Sequence, residues 1–558
     1  MPAFCIQTQT VLLSTLTILL TLFRTVVIPV QFQDRAFSYG EDEIQGILTK
    51  AESYLDTQFR GSVSFSIDLA PTITLNHNSD YYGWNGERGH DYLIHEALIQ
   101  ACIDSKSVNF STYDNDSDGT VDAVILLAAG PSESDGTDPN DIWPACHMLH
   151  DSSVPILING KWIDPFLTIT EIKSAAGRDP GLNGPGDLCH ELCHIFNLPD
   201  FYDTDGMASG GTGAGLWQST SLMDKGNRND YGNTPPNFNS IELELLGLGE
   251  SIPLAPGSYS LKPLDKESRY IRADTANQGE YILIECRDAR GWDEFIGGSG
   301  LLAYHIDKSE PECRRRWDEN RINCDPSHQC AELIPTSPSA ENVREVFFPY
   351  KEMKSLCLGR YGIDLSLTDI SRSDDGTVSF KVIQPLTISG LTAFQDAATI
   401  TWTADSSLGQ HLRYTVSWSD KNGNSGSTDA GQNGKVTIKG LSPQTKYEFT
   451  VECRTMAGDI FVISSSFVTK SLIPGVPPYI MLNEAQRNDD GSIVKGSSIP
   501  LRVNNASEYD SIDWFFDGRR ISADTEDCYT IYSSGTLKAV VRYADGTSDI
   551  IIKEITAR

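Results

Sequence analysis

Apolar positions cluster in two ways along this chain, as long helical and buried runs in the first half and as short alternating runs in the second. Thr25 to Phe32 (TVVIPVQF) is β-branched and nearly continuous in its apolar character, which predicts a buried strand. Glu41 to Gln58 repeats its apolar positions with helical period and predicts an amphipathic helix, and Trp84 to Asp104 predicts a second. Val121 to Ala129 reads as another buried strand, so strand and helix alternate as in an α/β domain.

From about Ser251 the pattern changes to short strands and turns, such as Tyr281 to Glu285 and Thr377 to Ile383. Residues 384–470 contain Ile400-Thr401-Trp402, Tyr414 to Trp418, and Leu441-Ser442-Pro443 followed by alternating Tyr447, Phe449 and Val451. The last run is similar to the fibronectin type III signature, with Trp402 as its core Trp. Prolines at 474, 477 and 478 read as a linker, and Ile512 to Phe516 with Leu537 to Tyr543 predict a further immunoglobulin-like sandwich over 471–558. The expected architecture is therefore multidomain: a signal-peptide-like segment (1–24), an α/β domain (25–250), a β-rich extension (251–383) and two all-β sandwiches (384–470 and 471–558).

Charge narrows the partners. A formal net charge of −32 over 558 residues excludes the clustered Lys and Arg that nucleic acids and anionic membranes require. The apolar run Val11 to Phe23 has signal-peptide length, too short to span a bilayer, and predicts a secreted or cell-surface protein with no membrane span in the mature chain. Export permits disulfides, and Cys313, Cys324 and Cys330, close together in one polar loop, are expected to pair locally.

The candidate chemistry is concentrated in Cys189-His190-Glu191-Leu192-Cys193-His194-Ile195-Phe196-Asn197-Leu198-Pro199-Asp200. Two His four residues apart on a helix reach one ion, and the intervening Glu191 is placed to take a proton from an activated water, so HExxH is both a zinc ligand pair and a hydrolase signature. Asn197 and Pro199 predict a helix stop that turns the chain back and presents Asp200 as the third ligand. Asp203, Asp205, Glu242 and Glu244 compete for that role. Cys189 and Cys193, rotated about 100° from the neighbouring His, are expected to pack rather than bind. Earlier, Asp114, Asp116, Asp118 and Asp122 alternate around Gly119 as in a calcium loop, although Ile125 occupies the twelfth position where an EF-hand has Glu. His147 is either a cleft residue or structural, and Tyr202 or Tyr231 are candidates to hydrogen-bond a tetrahedral intermediate.

HELCHIFNLPDFYDTDG, with DNDSDGTVDAVILLAAGP and DIWPACH before it and GLWQSTSLMDKG after it, resembles the M6 family of metalloproteases, the immune inhibitor A type. The resemblance covers roughly residues 25 to 350. It implies a secreted zinc endopeptidase with a metzincin-like catalytic domain, with His190 and His194 as ligands, Glu191 as general base and protein or peptide substrates. Met223 falls where such proteins place a Met-turn beneath the metal. Asn197 stands where the family has Gly, and Cys193 replaces a small residue. The alternative expectation is a surface adhesin with a vestigial protease fold, in which the C-terminal sandwiches dock protein or carbohydrate.

Overall fold

The computed structural model of the protein describes residues 21–558 apart from 84, 86–88, 105–107, 148–155, 175–178, 310, 395, 457, 471–476, 483–484, 505–508, 523–527 and 544. It divides into two compact units, one built from residues up to Leu254 with 259–354 and 370–379, the other from 255–258, 355–369 and 380–558.

In the first unit the elements follow as β1 (Thr21–Gln31), α1 (Glu41–Gln58), β2 (Val63–Leu69), β3 (Ile73–Thr74), α2 (Ser79–Tyr82), α3 (Gly89–Ile103), β4 (Thr120–Val121), β5 (Val124–Pro131), β6 (Ala145–His147), β7 (Ile156–Ile158), β8 (Lys161–Ile163), β9 (Phe166–Lys173), β10 (Gly181–Leu182), α4 (Gly186–Ile195) and α5 (Ser240–Leu246). The main sheet runs β10-β9-β5-β1-β2, with β3 on β1 and β6 on β9. β1 is parallel to β2 and β5, and β5 is parallel to β9, while β6 and β10 lie antiparallel along β9.

Both faces of this sheet are covered, which is why its central strands read as unbroken apolar runs. Val27, Ile125, Leu127, Leu167 and Ile169 pack with α1 and α4. Val26, Ile28, Val30, Val124, Leu126 and Ala128 pack with Leu93, Ile94, Ala97 and Leu98 of α3. The period-2 alternation thus sorts β1 and β5 between two helical layers.

Two expectations are adjusted. β1 begins at Thr21, so 21–24 belong to the central strand, paired with Val63 to Ser66, rather than to the apolar segment assigned to 1–24. Phe23 packs 5.8 Å from Phe65 and 5.2 Å from Phe196 (ring centroids), and this contact ties it to the fold. The rest of that apolar segment lies outside the described residues, as does Trp84. The run Val121 to Ala129 is broken, because Thr120–Val121 leaves the main sheet to pair with β8.

A second sheet joins the same core: β11 (Glu250–Pro253), β13 (Arg269–Asp274), β14 (Glu280–Arg287), β15 (Gly300–Asp307) and β16 (Ala331–Leu333), in that spatial order, with β12 (Gly257–Leu261) outside it and α6 (Glu312–Asp318) between β15 and β16. Leu264, Tyr281, Leu283, Leu302 and Tyr304 share one hydrophobic cluster with Leu188, Leu192 and Met223.

In the second unit, strands Leu386–Ala393, Ala397–Ala404 and Lys435–Lys439 face a sheet of Arg413–Asp420, Ser425–Gly431, Lys446–Arg454 and Ile460–Val468. Trp402 is buried between them, 5.4 Å from the ring of Tyr414, and the Tyr447 hydroxyl accepts the Ser442 N–H at 2.9 Å. Strands Ser511–Phe516, Arg519–Ile521, Gly535–Arg542 and Ser548–Ile555 form a further sheet, and Trp514, Leu537 and Val541 pack with Ile499 of Ser498–Pro500.

Candidate metal centre

α4 is anchored at its start by close approach and charge. A Cβ on Gly186 would lie 1.9 Å from the Asn227 carbonyl oxygen, so only glycine lets the 226–232 segment press against the helix. Asp187, in the first turn, accepts hydrogen bonds from Lys173 (2.9 Å), Asn183 (2.9 Å) and Asn227 (2.8 Å). At the other end Asn197 adopts φ 62°, the left-handed stop that its position predicts, and Leu198 N–H returns to the Cys193 carbonyl at 3.3 Å. Phe196 is pinned by rings 4.8 Å (Phe59) and 5.2 Å (Phe23) away, each such pair adding about 0.5–1.5 kcal/mol beyond area burial.

This stop brings Asp200 back over the helix. Its Oδ1 lies 3.1 Å from His190 Nε2 and 3.5 Å from His194 Nε2. The other ring nitrogens are committed: His190 Nδ1 to the Leu222 carbonyl at 2.9 Å and His194 Nδ1 to the Leu198 carbonyl at 2.8 Å. A ring nitrogen that meets a carbonyl must donate, so in the neutral rings that bind a metal Nε2 is the unprotonated nitrogen, and it faces Asp200. Asp200 is itself clamped, its N–H donating to Asn320 Oδ1 (2.7 Å) and its Oδ2 accepting from Asn320 Nδ2 (2.8 Å). Oδ1 remains buried with no hydrogen bond. Two imidazole nitrogens and a carboxylate oxygen converging on one point can hold a metal ion.

The electrostatics agree with the geometry. Burial works against charge at His190, but the Asp200 contact and the Glu191 charge outweigh it and raise His190 to about 9. Burial also opposes the Asp200 charge, yet the facing imidazoles hold that carboxyl well below the usual range. The cluster therefore binds positive charge. Glu191, 7% exposed, is lifted by burial to about 7 against the opposing pull of His190 and His194. A carboxyl so placed can exchange a proton near neutrality.

The rival carboxylates are engaged elsewhere. Asp203 accepts Gly206 N–H (2.9 Å) and Thr212 Oγ1 (3.0 Å), and Asp205 pairs with Arg321 at 2.6 Å. Glu242 accepts Ser221 Oγ (2.6 Å) and Asn239 N–H (2.7 Å), and Glu244 takes Arg272 and the Tyr281 hydroxyl. Met223 is fully buried in the same hydrophobic cluster as Cys189 and Cys193, and its N–H donates to Ser221 Oγ at 3.1 Å. Tyr202 stacks on His190 with centroids 6.2 Å apart. Tyr231, at φ 60°, accepts Gly184 N–H at 3.2 Å just ahead of α4. His147 stacks on Phe166 at 4.8 Å, and burial pushes it down to about 4.

Of the acidic loop, Asp114, Asp116 and Asp122 bring ligand oxygens within 4.8 Å of one another. Asp118 stands outside that group, its Oδ1 accepting Thr120 N–H at 2.7 Å. Lys161 already contacts Asp114 Oδ2, while Asp114 Oδ1 is buried without a hydrogen bond. The expected local cysteine pairing is not formed: Cys324 sits 3.3 Å from Thr204 Oγ1, and Cys313 and Cys330 are neighbouring thiols.

The residues that sequence reasoning missed are Asn320, 120 positions from the aspartate it clamps, and Glu171, which accepts Ser38 N–H (2.6 Å), Tyr39 N–H (2.8 Å) and Gly130 N–H (3.1 Å). Glu171 carried one local signal, a charge inside the otherwise buried β9.

Residues 384–466 match the family model described as Fibronectin type III domain. Similar solved structures include a computationally redesigned β-sandwich protein (22% identity, 17% of this chain and 98% of that one, TM-score 0.15). Others are the FN5 domain of Drosophila Lar (17%, 15% and 90%, 0.13) and the fn3 domain of the human collagen alpha-1(XX) chain (24%, 16% and 83%, 0.14). No curated protein matches the chain. No helix among the described residues is long and apolar enough to cross a membrane.

Proposed function

We propose that this chain is a zinc-dependent endopeptidase of the M6 type, exported from the cell, whose metzincin-like domain hydrolyses peptide bonds in proteins. The observation that carries this reading is the buried Asp200 Oδ1, without a hydrogen bond and facing both His Nε2 atoms. A donor set of two nitrogens and one carboxylate oxygen fits zinc with a position left for water. When bound, the ion supplies a Lewis acid for the scissile carbonyl and lowers the pKa of the attacking water.

The remaining work falls to side chains. Glu191 takes the proton of the attacking water and delivers it to the leaving amine, for which a carboxyl lifted to about 7 is suited. Leu222 and Leu198 hold the two rings in one tautomer, and Asn320 fixes the carboxylate. Tyr202, stacked on His190, is the better placed of the two tyrosines to meet developing charge. The Asp114, Asp116 and Asp122 group supports a calcium ion at the entry to β5, with Asp114 Oδ1 as its buried donor. The fibronectin type III domain suits docking to a protein or carbohydrate surface. An adhesin with a vestigial protease fold would have no use for Glu191 or for oriented imidazoles.

Glu191→Gln should keep zinc and lose cleavage by at least about a hundredfold, the usual effect of removing a general base while ligands stay in place. Metal analysis and digestion of a mixed protein library, with and without chelator, check this. Undiminished cleavage by the variant, or cleavage indifferent to chelation and zinc, would overturn the reading.

A further inference from the structure

We propose that Asp307, Cys313 and His328 form a second metal site, remote in sequence from α4, for a borderline-soft divalent ion of the zinc class. The donors come from three places held together by other bonds. Asp307 ends β15, and its N–H donates to the Cys330 carbonyl at 2.9 Å while its carbonyl accepts Trp317 Nε1 at 2.8 Å. Cys313 lies in α6, and His328 in the loop that follows, where its carbonyl accepts Arg316 Nη1 at 2.6 Å.

Around this frame the ligand atoms of the three residues lie within 4.8 Å of one another. His328 Nε2 is 2.9 Å from Asp307 Oδ2 and 3.5 Å from Cys313 Sγ. The same nitrogen meets both partners, which speaks against a nucleophile relay, where thiol and carboxylate use opposite ring nitrogens. Donors gathered on one point suit a small cation instead. Three protein donors leave the remaining positions of such an ion to water. Sulfur, nitrogen and one carboxylate select zinc-like ions over calcium or magnesium.

Charge and access fit as well. One thiolate and one carboxylate balance a divalent ion, and Arg316, whose Nη2 lies 3.9 Å from Cys313 Sγ, keeps that thiol's charge answered when the site is empty. Asp307, Cys313 and Cys330 are buried, whereas the His328 side chain is 52% exposed and provides the path of entry. The loop closed between Cys313 and His328 carries Asn320, the clamp on Asp200. An ion here would hold that clamp in place without touching substrate.

The test uses the full chain, purified with its thiols reduced, stripped of metal and loaded with cobalt(II) alone. The His190, His194 and Asp200 set contains no sulfur, and the Asp203, Asp205 and Cys324 group is left intact by Cys313→Ser and His328→Ala, so thiolate-to-cobalt charge-transfer absorption that these variants abolish reports the second site. The expected result is that band together with a second metal equivalent. Cys313→Ser and His328→Ala should lose the band and that equivalent while keeping the first; the exposed His328 makes its variant the safer for folding, checked by circular dichroism. Loss of the first equivalent with the band retained would instead count against the proposed function and support this site. Absence of the band in reduced wild-type protein, or a Cys313–Cys330 disulfide in protein isolated without reductant, would overturn the proposal.

Discussion

Two polar clusters of the first unit share one short segment and differ in how fully their groups are satisfied. The Thr220 carbonyl accepts Arg287 Nη1 at 3.4 Å, and two residues later the Leu222 carbonyl meets His190 Nδ1 at 2.9 Å. On the Arg287 side every donor is used: Nε and Nη2 reach Asp293, Nη1 reaches Glu285 and Thr220, and Nη2 also reaches the Asn237 carbonyl. On the His190 side the groups lie slightly nearer the surface, and Asp200 Oδ1 has no hydrogen bond. A satisfied buried network fixes a fold, whereas a preorganised cluster with one donor oxygen left over marks a place for something not supplied by the chain.

The largest effect should come from opening the closed cluster. Arg287→Met leaves Glu285 and Asp293 buried without their cation and should destabilise the chain by about 3–5 kcal/mol, as breaking a buried charge network does. Chemical denaturation measures this, and a loss below about 1 kcal/mol would remove the contrast between the clusters.

Much of the second cluster was legible because its signals are local. The i, i+4 histidines, the intervening Glu191, the left-handed stop at Asn197 and the return to Asp200 all lie within eleven residues, so helix periodicity and capping rules reach them. The closed cluster was not legible. Glu285 and Arg287 fall in a strand, but charged residues are normally at the surface, and nothing near them in sequence names Asp293, Thr220 and Asn237 as partners. Asn320 was hidden for the same reason, its partner lying 120 residues away. Thr21–Arg24 was misassigned because an apolar run looks alike before an export cleavage point and in a central strand, and only pairing with Val63 to Ser66 distinguishes them.

Removing the leftover oxygen tests the open cluster. Asp200→Ala should weaken zinc binding severely, leaving only the His pair, while Asp203→Ala and Glu244→Ala should bind nearly normally because their carboxylates are engaged elsewhere. Zinc titration of the three variants decides it. Wild-type affinity in Asp200→Ala would reassign the third ligand.

Glu242 joins the clusters through Ser221 and Met223, and burial lifts it to about 7 from an ordinary 4.5. Between those values the folded chain keeps a proton that the unfolded chain has released. Its stabilising contribution is therefore complete below about 4.5 and lost as pH rises through about 7. Glu242→Gln should flatten that part of the stability profile relative to wild type. Denaturation midpoints at several pH values read the slope, and parallel profiles would show that Glu242 is ionised throughout.

The smallest effect belongs to the acidic loop, which combines features of both clusters. Like the open one it has a buried oxygen without a hydrogen bond, Asp114 Oδ1, near ligand oxygens of Asp116 and Asp122. Like the closed one it already contains a cation, since Lys161 contacts Asp114 Oδ2 and is three-quarters covered. Asp122 is also part-satisfied, accepting Asn115 N–H at 2.6 Å, so calcium would add to an arrangement that is partly neutralised. Binding to the folded state at about ten times its Kd adds about 1.4 kcal/mol, a rise of about 2 °C in Tm for a unit as large as the first. Millimolar calcium given to metal-stripped protein, with zinc resupplied, should produce that rise. Asp116→Asn should reduce it, because Asp116 is exposed and contributes a carboxylate to the group. Lys161→Met should enlarge it, since the ion then meets three carboxylates with no competing ammonium. An unchanged Tm in wild type together with no gain in Lys161→Met would place the loop with the closed cluster, its charge answered from within the chain.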